Sequence, residues 1–155
     1  MKLFRILIGA LILIGLIFVV AAPIGPVPGF LIGGQDQQVP TRWPDTSGVP
    51  EIRLKVPGVP PRVVIIWVVA QENELYVVGD KDNGWVKMLG DGSPVEMRLG
   101  DNTYALYARR VDEGAQEIVT AWLDKYRPDY PEIVSAFPTP ESGVSPARVY
   151  RLGRN

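Results

Sequence analysis

The sequence predicts an N-terminal transmembrane helix followed by one α+β domain, a small and mostly antiparallel β-barrel or curled sheet with a packed helix. Three observations lead to this prediction. Residues 6–22 form an unbroken apolar run, residues 51–111 hold short alternating or β-branched stretches separated by turn residues, and residues 115–126 repeat apolar side chains at helical spacing. Consecutive strands joined by short turns, with few helices, are typical of antiparallel barrels.

The apolar run ILIGALILIGLIFVVAA at residues 6–22 follows Lys2 and Arg5. As a helix it covers about 25 Å, close to the roughly 30 Å of a bilayer core. It is longer than the apolar centre of most signal peptides, and Pro23 directly follows its small-residue site. We therefore predict an uncleaved anchor at residues 1–22, with a cleaved signal and a buried core helix as alternatives. Because the next basic residue is Arg42, the positive-inside rule predicts the N-terminus inside and the domain outside the cytoplasm.

Composition removes several function classes. The 155-residue chain has a formal net charge of -1 and contains neither cysteine nor histidine. Without a basic excess or a basic stripe, we expect no nucleic-acid partner. The missing residues remove disulfides, thiolate nucleophiles, Ser-His-Asp chemistry, and histidine-bound zinc or haem. We expect no metal and no haem, which leaves carboxylate, lysine, tyrosine, backbone or cofactor chemistry.

The chain divides into the anchor, a Pro/Gly-rich linker at residues 23–50 and a domain at residues 51–155. Proline removes backbone donors and fixes φ, so the linker should be extended and irregular. Asp112 is the predicted N-cap of the main helix, and Arg127-Pro128 ends that helix. The predicted elements are strands at 51–56, 63–70 and 75–79, a short helix at 85–89 closed by Gly90, strands at 95–99 and 103–111, helices at 115–126 and 131–137, and a strand at 147–152.

This order of elements and four stretches of sequence resemble the flavin-binding split β-barrel superfamily, in its deazaflavin-dependent nitroreductase-like branch. KVPGVPPR at 55–62 stands where the family has a basic turn, and GDKDNGW at 79–85 stands where it has a lysine loop and a tryptophan. Residues 94–111 match its second hairpin, and YRPDY at 126–130 matches its helix break. The resemblance covers about residues 52–152.

The resemblance implies a split β-barrel that binds FMN or a deazaflavin coenzyme in a cleft between barrel and helix, at the interface of a homodimer. It places five residues at the cofactor: Arg62, Lys81, Trp85, Lys55 and Trp67. Arg62 and Lys81 would hold the acidic group of the cofactor, and the two tryptophans would contact its ring. The structural alternatives are a strand-edge arginine, a solvated loop lysine, a core Trp67 and a Trp85 that covers the barrel end. No catalytic residue is assigned.

The lysine loop departs from the family pattern. Asp80, Asp82 and Asn83 stand where the family has a serine and two glycines, and carboxylates repel a phosphate. Two functions therefore remain open. One is a membrane-anchored flavin- or deazaflavin-binding oxidoreductase-like domain. The other is a cofactor-free binding or scaffold domain at the outer face of the membrane.

Overall fold

The computed structural model describes residues 2–21, 29–137 and 147–154, with the side chains of residues 6–15 in the first helix. The elements are helix α1 (Lys2–Ala21), strands β1 (Gln35–Gln37), β2 (Glu51–Val56), β3 (Arg62–Gln71) and β4 (Glu74–Asp80), helix α2 (Gly84–Leu89), strands β5 (Gly92–Leu99) and β6 (Asn102–Val111), helices α3 (Ala115–Tyr126) and α4 (Pro131–Ala136), and strand β7 (Ala147–Gly153). The predicted strands and helices of residues 51–153 are thus present, each within a few residues of its expected bounds.

Strands β2 to β7 close into a six-stranded antiparallel barrel. Their order is β6-β5-β2-β3-β4-β7, and β7 pairs back with β6 to close the ring. The short strand β1 adds a parallel pairing on β6, where Gln35 to Gln37 lie opposite Asn102 to Tyr104. The prediction of a mostly antiparallel barrel with a packed helix is confirmed, and the architecture fits a split barrel.

Strand alternation divides the core into two clusters. Inward side chains such as Leu54, Met97 and Leu106 fill the barrel. Helix α2 covers one end and adds Trp85 and Leu89 to that interior. The second cluster lies outside the barrel, where α3 and α4 pack on β3, β4 and β7 through residues that include Ile118, Trp122, Tyr126, Val134 and Val149.

Side chains of α3 form hydrogen bonds with the backbone of β3 beyond the point where β2 begins. The last residue pair between β2 and β3 joins Glu51 to Trp67, and Val68 is the next residue of β3. Pro50, which precedes Glu51, has no N–H to donate to Val68. The Tyr126 hydroxyl accepts a hydrogen bond from the Val68 N–H at 2.9 Å and lies 2.8 Å from the Val68 carbonyl. The same hydroxyl lies 2.6 Å from the Pro50 carbonyl. Buried backbone groups are thereby satisfied without a strand partner.

Lys125 connects the loop before β2 to the same part of β3. Its ammonium donates to the carbonyls of Thr46, Val49 and Val68 at 2.8, 2.9 and 2.7 Å. Burial lowers the pKa of Lys125. The loop before β2 is therefore held against α3 by one side chain.

Residues 29–37 cross the outer face of the sheet and end in β1. Gly29 exchanges two backbone hydrogen bonds with Val63 of β3, at 2.9 and 2.7 Å. Farther along, the Thr103 hydroxyl donates to the Gly33 carbonyl at 2.6 Å, and Ile32 is buried. We call residues 29–37 the strap; they belong to the stretch predicted as a linker, of which residues 23–28 lie outside the described part.

The predicted bounds of the main helix, 115–126, are confirmed, but its predicted N-cap is wrong. α3 begins at Ala115, after Gly114 at φ 71° in the left-handed region, which favours glycine. Asp112 does not cap the helix, because its carboxylate accepts a hydrogen bond from Arg110 Nε at 3.0 Å instead. A local ion pair between Arg110 of β6 and Asp112 just beyond the strand takes the place of the expected cap.

The predicted membrane anchor is not supported. α1 has 20 residues, yet within the described part of the chain no helix is both long and apolar enough to cross a membrane. Of the predicted anchor, the structure describes the backbone of residues 2–21 and the side chains of residues 6–15. The remainder of the predicted anchor, residues 1 and 22 and the side chains of 2–5 and 16–21, lies outside the described residues.

Candidate functional site

A cleft opens on the outer face of β2, β5 and β6, beside the turn that joins β2 to β3. Its volume is about 310 Å³, at the lower end of the range that small-molecule sites occupy. The walls are mostly apolar. The lining residues are Lys55, Val56, Pro57, Pro61, Pro94, Val95, Glu96, Ala105 and Leu106.

The cleft arises from strand register and side-chain size. Lys55 lies opposite Glu96, which lies opposite Ala105, so these three form one row across the outer face. Pro94 occupies the next outward position of β5. The short Ala105 side chain leaves space in the row, and the proline rings form rigid walls on both sides because each fixes its own φ.

An ion pair lies in this cleft. The Lys55 ammonium lies 2.7 Å from Glu96 Oε1, with 29% and 42% of the two side chains exposed. A pair this exposed contributes about 0–1 kcal/mol to folding. Its main effect is electrostatic, because the positive charge predicted for cofactor binding already has a carboxylate partner.

Arg62 lies on the other side of the turn from the cleft. Strand alternation gives it the parity of Val64 and Ile66, which face the barrel interior, but at the strand's first residue it is exposed at the barrel end. Its Nη1 lies near α2, 3.9 Å from where a side chain at Gly84 would begin. Among the described residues it has no carboxylate within ion-pair distance.

Lys81 extends from the acidic loop before α2. Its ammonium lies 2.7 Å from Asp82 Oδ2, and the Lys87 ammonium lies 3.5 Å from the other oxygen of the same carboxylate. The hydrogen bond to Asp82 raises the pKa of Lys81. Two lysines thus share one carboxylate at the surface, and Lys81 is compensated within its own loop.

Neither predicted tryptophan lines the cleft. Trp67 stacks on Tyr126 with ring centroids 4.3 Å apart, within the cluster under α3. Trp85 is buried at the barrel end, 5.9 Å from the Tyr150 ring, and it fills the space that a side chain at Gly79 would need. The structure therefore brings Lys55 to the cleft, places Arg62 and Lys81 near α2, and puts both tryptophans in core packing.

Sequence reasoning missed Glu96 as the partner of Lys55. Glu96 and Arg98 share a strand face, so Arg98 is the local candidate for a pair with Glu96. The actual partner comes from β2, 41 residues away. Only the register of β2 against β5 identifies it, and no local signal sets that register.

Comparisons with solved structures find proteins of similar fold. The chain is similar to an FAD- and heme-binding protein from Mycobacterium smegmatis, with a TM-score of 0.50 and 14% identity over 70% of this chain and 62% of that one. The chain thus spans less than two thirds of that protein. It is also similar to a NimC/NimA family protein from Clostridium acetobutylicum (TM-score 0.47, 18% identity, 66% of this chain and 71% of that one). A protein of unknown function from Agrobacterium tumefaciens gives a TM-score of 0.46 and 13% identity over 66% and 47%.

No protein-family model matches the sequence, and no curated protein matches it. At this level of identity the likeness to the Mycobacterium smegmatis protein concerns the fold alone. It agrees with the split-barrel fold that the resemblance implies.

Proposed function

We propose that the chain is a flavin-binding split-barrel domain of oxidoreductase type that takes FMN or a deazaflavin coenzyme, with the ring in the cleft beside Lys55. The observation that carries the proposal is the cleft itself. Its apolar walls and volume of about 310 Å³ suit a flat ring system. The barrel that holds it has the fold of an FAD- and heme-binding protein.

Two cations flank the turn at residues 57–61 and would serve the acidic parts of the cofactor. Lys55 lies in the cleft wall, and Arg62 lies at the barrel end. Arginine forks onto phosphate through two parallel hydrogen bonds. Because Arg62 has no ionic partner among the described residues, it gains more from a phosphate than Lys55 or Lys81, which are paired.

A bound flavin would supply the hydride chemistry, and the chain would supply position and electrostatics. The prolines of the cleft would exclude water from one face of the ring. The ammonium of Lys55 would lie beside the ring and stabilise negative charge there, provided that Glu96 does not neutralise it. The haem of the Mycobacterium smegmatis protein is not part of the proposal, because this chain has no histidine to serve as an axial ligand.

We also propose that a second copy of the chain covers the cleft. Pro94 and Ala105 are exposed at its rim, so one side of a bound ring would face solvent in a single chain. A homodimer would close that side.

The alternative is a cofactor-free binding or scaffold domain, and two ion pairs favour it. Lys55 pairs with Glu96 and Lys81 with Asp82, each at 2.7 Å. Two of the three cations predicted to bind the cofactor are therefore compensated within the chain. A domain that no longer binds a phosphorylated cofactor would be expected to carry such internal pairs.

The test is a titration of the full chain with FMN and with a deazaflavin coenzyme, followed by flavin fluorescence. Arg62→Ala should weaken binding about tenfold to a hundredfold, because a hydrogen bond to a charged group contributes roughly 1.5–3 kcal/mol. Glu96→Gln should strengthen binding because it frees Lys55. Replacing Asp80 and Asp82 by Asn should also strengthen it, most visibly at low salt.

Arg127→Ala is the matched control, since Arg127 is an exposed arginine at the end of α3 that pairs with Asp124. It should leave binding unchanged. Absence of binding by every variant would favour the cofactor-free domain. Binding that ignores both Arg62→Ala and Glu96→Gln would place the cofactor elsewhere on the barrel.

A further inference from the structure

A second cavity lies at the other end of β3, beside the hairpin that joins β3 to β4. Its volume is about 280 Å³, and its walls are polar where those of the cleft are apolar. It lies between the loop before β2, the hairpin and the end of β7. The lining residues are Val39, Pro40, Thr41, Trp43, Asn73, Glu74, Arg151, Leu152, Gly153 and Arg154.

One wall of this cavity is fixed by a strained asparagine. Asn73 has φ 66°, a conformation that asparagine tolerates better than most residues. Its Oδ1 accepts a hydrogen bond from the Trp43 N–H at 3.1 Å, and its Nδ2 donates to the Thr41 carbonyl at 3.2 Å. The half-buried Trp43 ring rests edge-on against Tyr104, with centroids 5.2 Å apart. An aromatic wall is therefore held in place from two sides.

The opposite wall carries positive charge from Arg151 and Arg154. Arg151 lies directly across from Arg109 in the β6–β7 pairing, and like charges at such positions destabilise a sheet. Among the described residues, no carboxylate lies within ion-pair distance of Arg109, Arg151 or Arg154. The neighbouring Arg110, by contrast, pairs with both Asp91 and Asp112.

Arg154 is already oriented at the rim of the cavity. Its Nη2 donates to the Pro40 carbonyl at 2.8 Å, which leaves its other N–H groups available. Arg151 lies alongside, with its Nε 3.9 Å from where a side chain at Gly153 would begin. A glycine at this position keeps the space beside the guanidinium open.

We propose that this cavity binds a small organic anion, a phosphate or carboxylate attached to a planar ring. Arg151 and Arg154 would bind the oxyanion, since guanidinium groups match its geometry. Trp43 would contact the ring. Glu74, which also lines the cavity, would accept a hydrogen bond from a donor on that ring. The site is separate from the cleft, so it does not depend on flavin binding.

The first test is a calorimetric titration of the full chain with adenosine monophosphate, which combines a phosphate with a planar, amine-bearing ring. Arg151→Gln and Arg154→Gln should each weaken binding at least tenfold, and Trp43→Leu should weaken it as well. Arg127→Gln, an exposed arginine outside the cavity, should not. Adenosine, inorganic phosphate and benzoate in separate titrations distinguish ring, phosphate and carboxylate. No binding of any probe at millimolar concentration, or binding that ignores Arg151→Gln and Arg154→Gln, would overturn the proposal.

The second test uses thermal unfolding, which also detects a purely structural role of the arginines. Inorganic phosphate should raise the Tm of the wild type, because it reduces the repulsion between Arg109 and Arg151. Arg109→Gln should raise the Tm in phosphate-free buffer, because it removes a repulsion, and should reduce the further gain from phosphate. If phosphate stabilises Arg151→Gln and the wild type equally, Arg151 does not bind the anion and the proposal fails.

Discussion

At the scale of single residues, the Tyr126 hydroxyl occupies a place that a strand would usually fill. It bonds the backbone of Val68 at the point where Pro50 prevents further pairing with β2. Only 2% of this tyrosine is exposed, and burial raises its pKa to about 12. Ionisation would remove the proton that the hydroxyl shares with the two carbonyl oxygens and would leave a negative charge beside them. The neutral form is therefore the one that stabilises the fold.

The raised pKa predicts a loss of stability in strong base. In the unfolded chain a tyrosine ionises near pH 10, so the contribution of Tyr126 is fully present below about pH 10. It is then lost as the pH rises toward about 12, the folded value. By linkage, two pKa units correspond to about 2–3 kcal/mol of unfolding free energy. Urea unfolding of the wild type and Tyr126→Phe between pH 9 and 12 measures this.

Tyr126→Phe should be less stable than the wild type at pH 9 by about 1–3 kcal/mol, since it leaves buried polar groups unpaired. The gap should narrow toward pH 12. Lys125, whose pKa burial lowers, acts in the opposite direction, but it is present in both proteins and cancels in the comparison. A gap that stays constant over this range would show that Tyr126 does not ionise with the expected pKa.

At the scale of elements, the sequence predicted the strands whose side-chain pattern is itself visible. The alternation of EIRLKV gave β2, and the β-branched run from Val63 gave β3. β1 was missed because QDQ carries no apolar pattern and is exposed along its length. Its pairing with β6 depends on the strap, whose contacts are made by backbone groups and by the side chains of Arg98 and Thr103.

The candidate site was less predictable than the strands for a related reason. The resemblance identified Lys55, and the structure puts it in the cleft. The resemblance also suggested Trp67 and Trp85, which instead pack against Tyr126 and Tyr150. A mid-strand aromatic residue has the same local signal whether it faces a ligand or a helix, and only the position of α3 decides between them.

Helix α3 is fixed to the barrel by Lys125, and this contact predicts a large effect from one substitution. Lys125→Met keeps the aliphatic stem but removes the donor to the carbonyls of Thr46, Val49 and Val68. Leaving such groups unpaired should cost about 1–3 kcal/mol of unfolding free energy. Lys87→Met is the control, because Lys87 is exposed and makes one long contact with Asp82. Equal denaturation midpoints for the two variants would contradict this account of the α3 contact.

At the scale of the whole molecule, the barrel depends on residues that precede its first strand. Ile32 and Thr46 are buried, β1 extends the sheet at β6, and the carbonyls of Thr46, Val49 and Pro50 bind the side chains of α3. By contrast, the described apolar side chains of α1 remain 42–67% exposed. From these contacts we expect the folding unit to start near Gly29, upstream of the domain start that the sequence predicts at residue 51.

This boundary leads to a prediction about two truncated chains. Removal of residues 1–28 should change the Tm by no more than about 2 °C, since a fraction of a kcal/mol shifts a domain of this size by that amount. Removal of residues 1–50 should lower it by at least about 10 °C. Loss of a buried isoleucine alone costs about 1.5–3 kcal/mol, and Tyr126 and Lys125 lose three of their carbonyl partners at the same time. Thermal unfolding followed by circular dichroism measures both. If the chain that lacks residues 1–50 has the same Tm as the chain that lacks residues 1–28, the strap and the loop that follows it act only as a connection to the barrel. The boundary predicted from the sequence is then the right one.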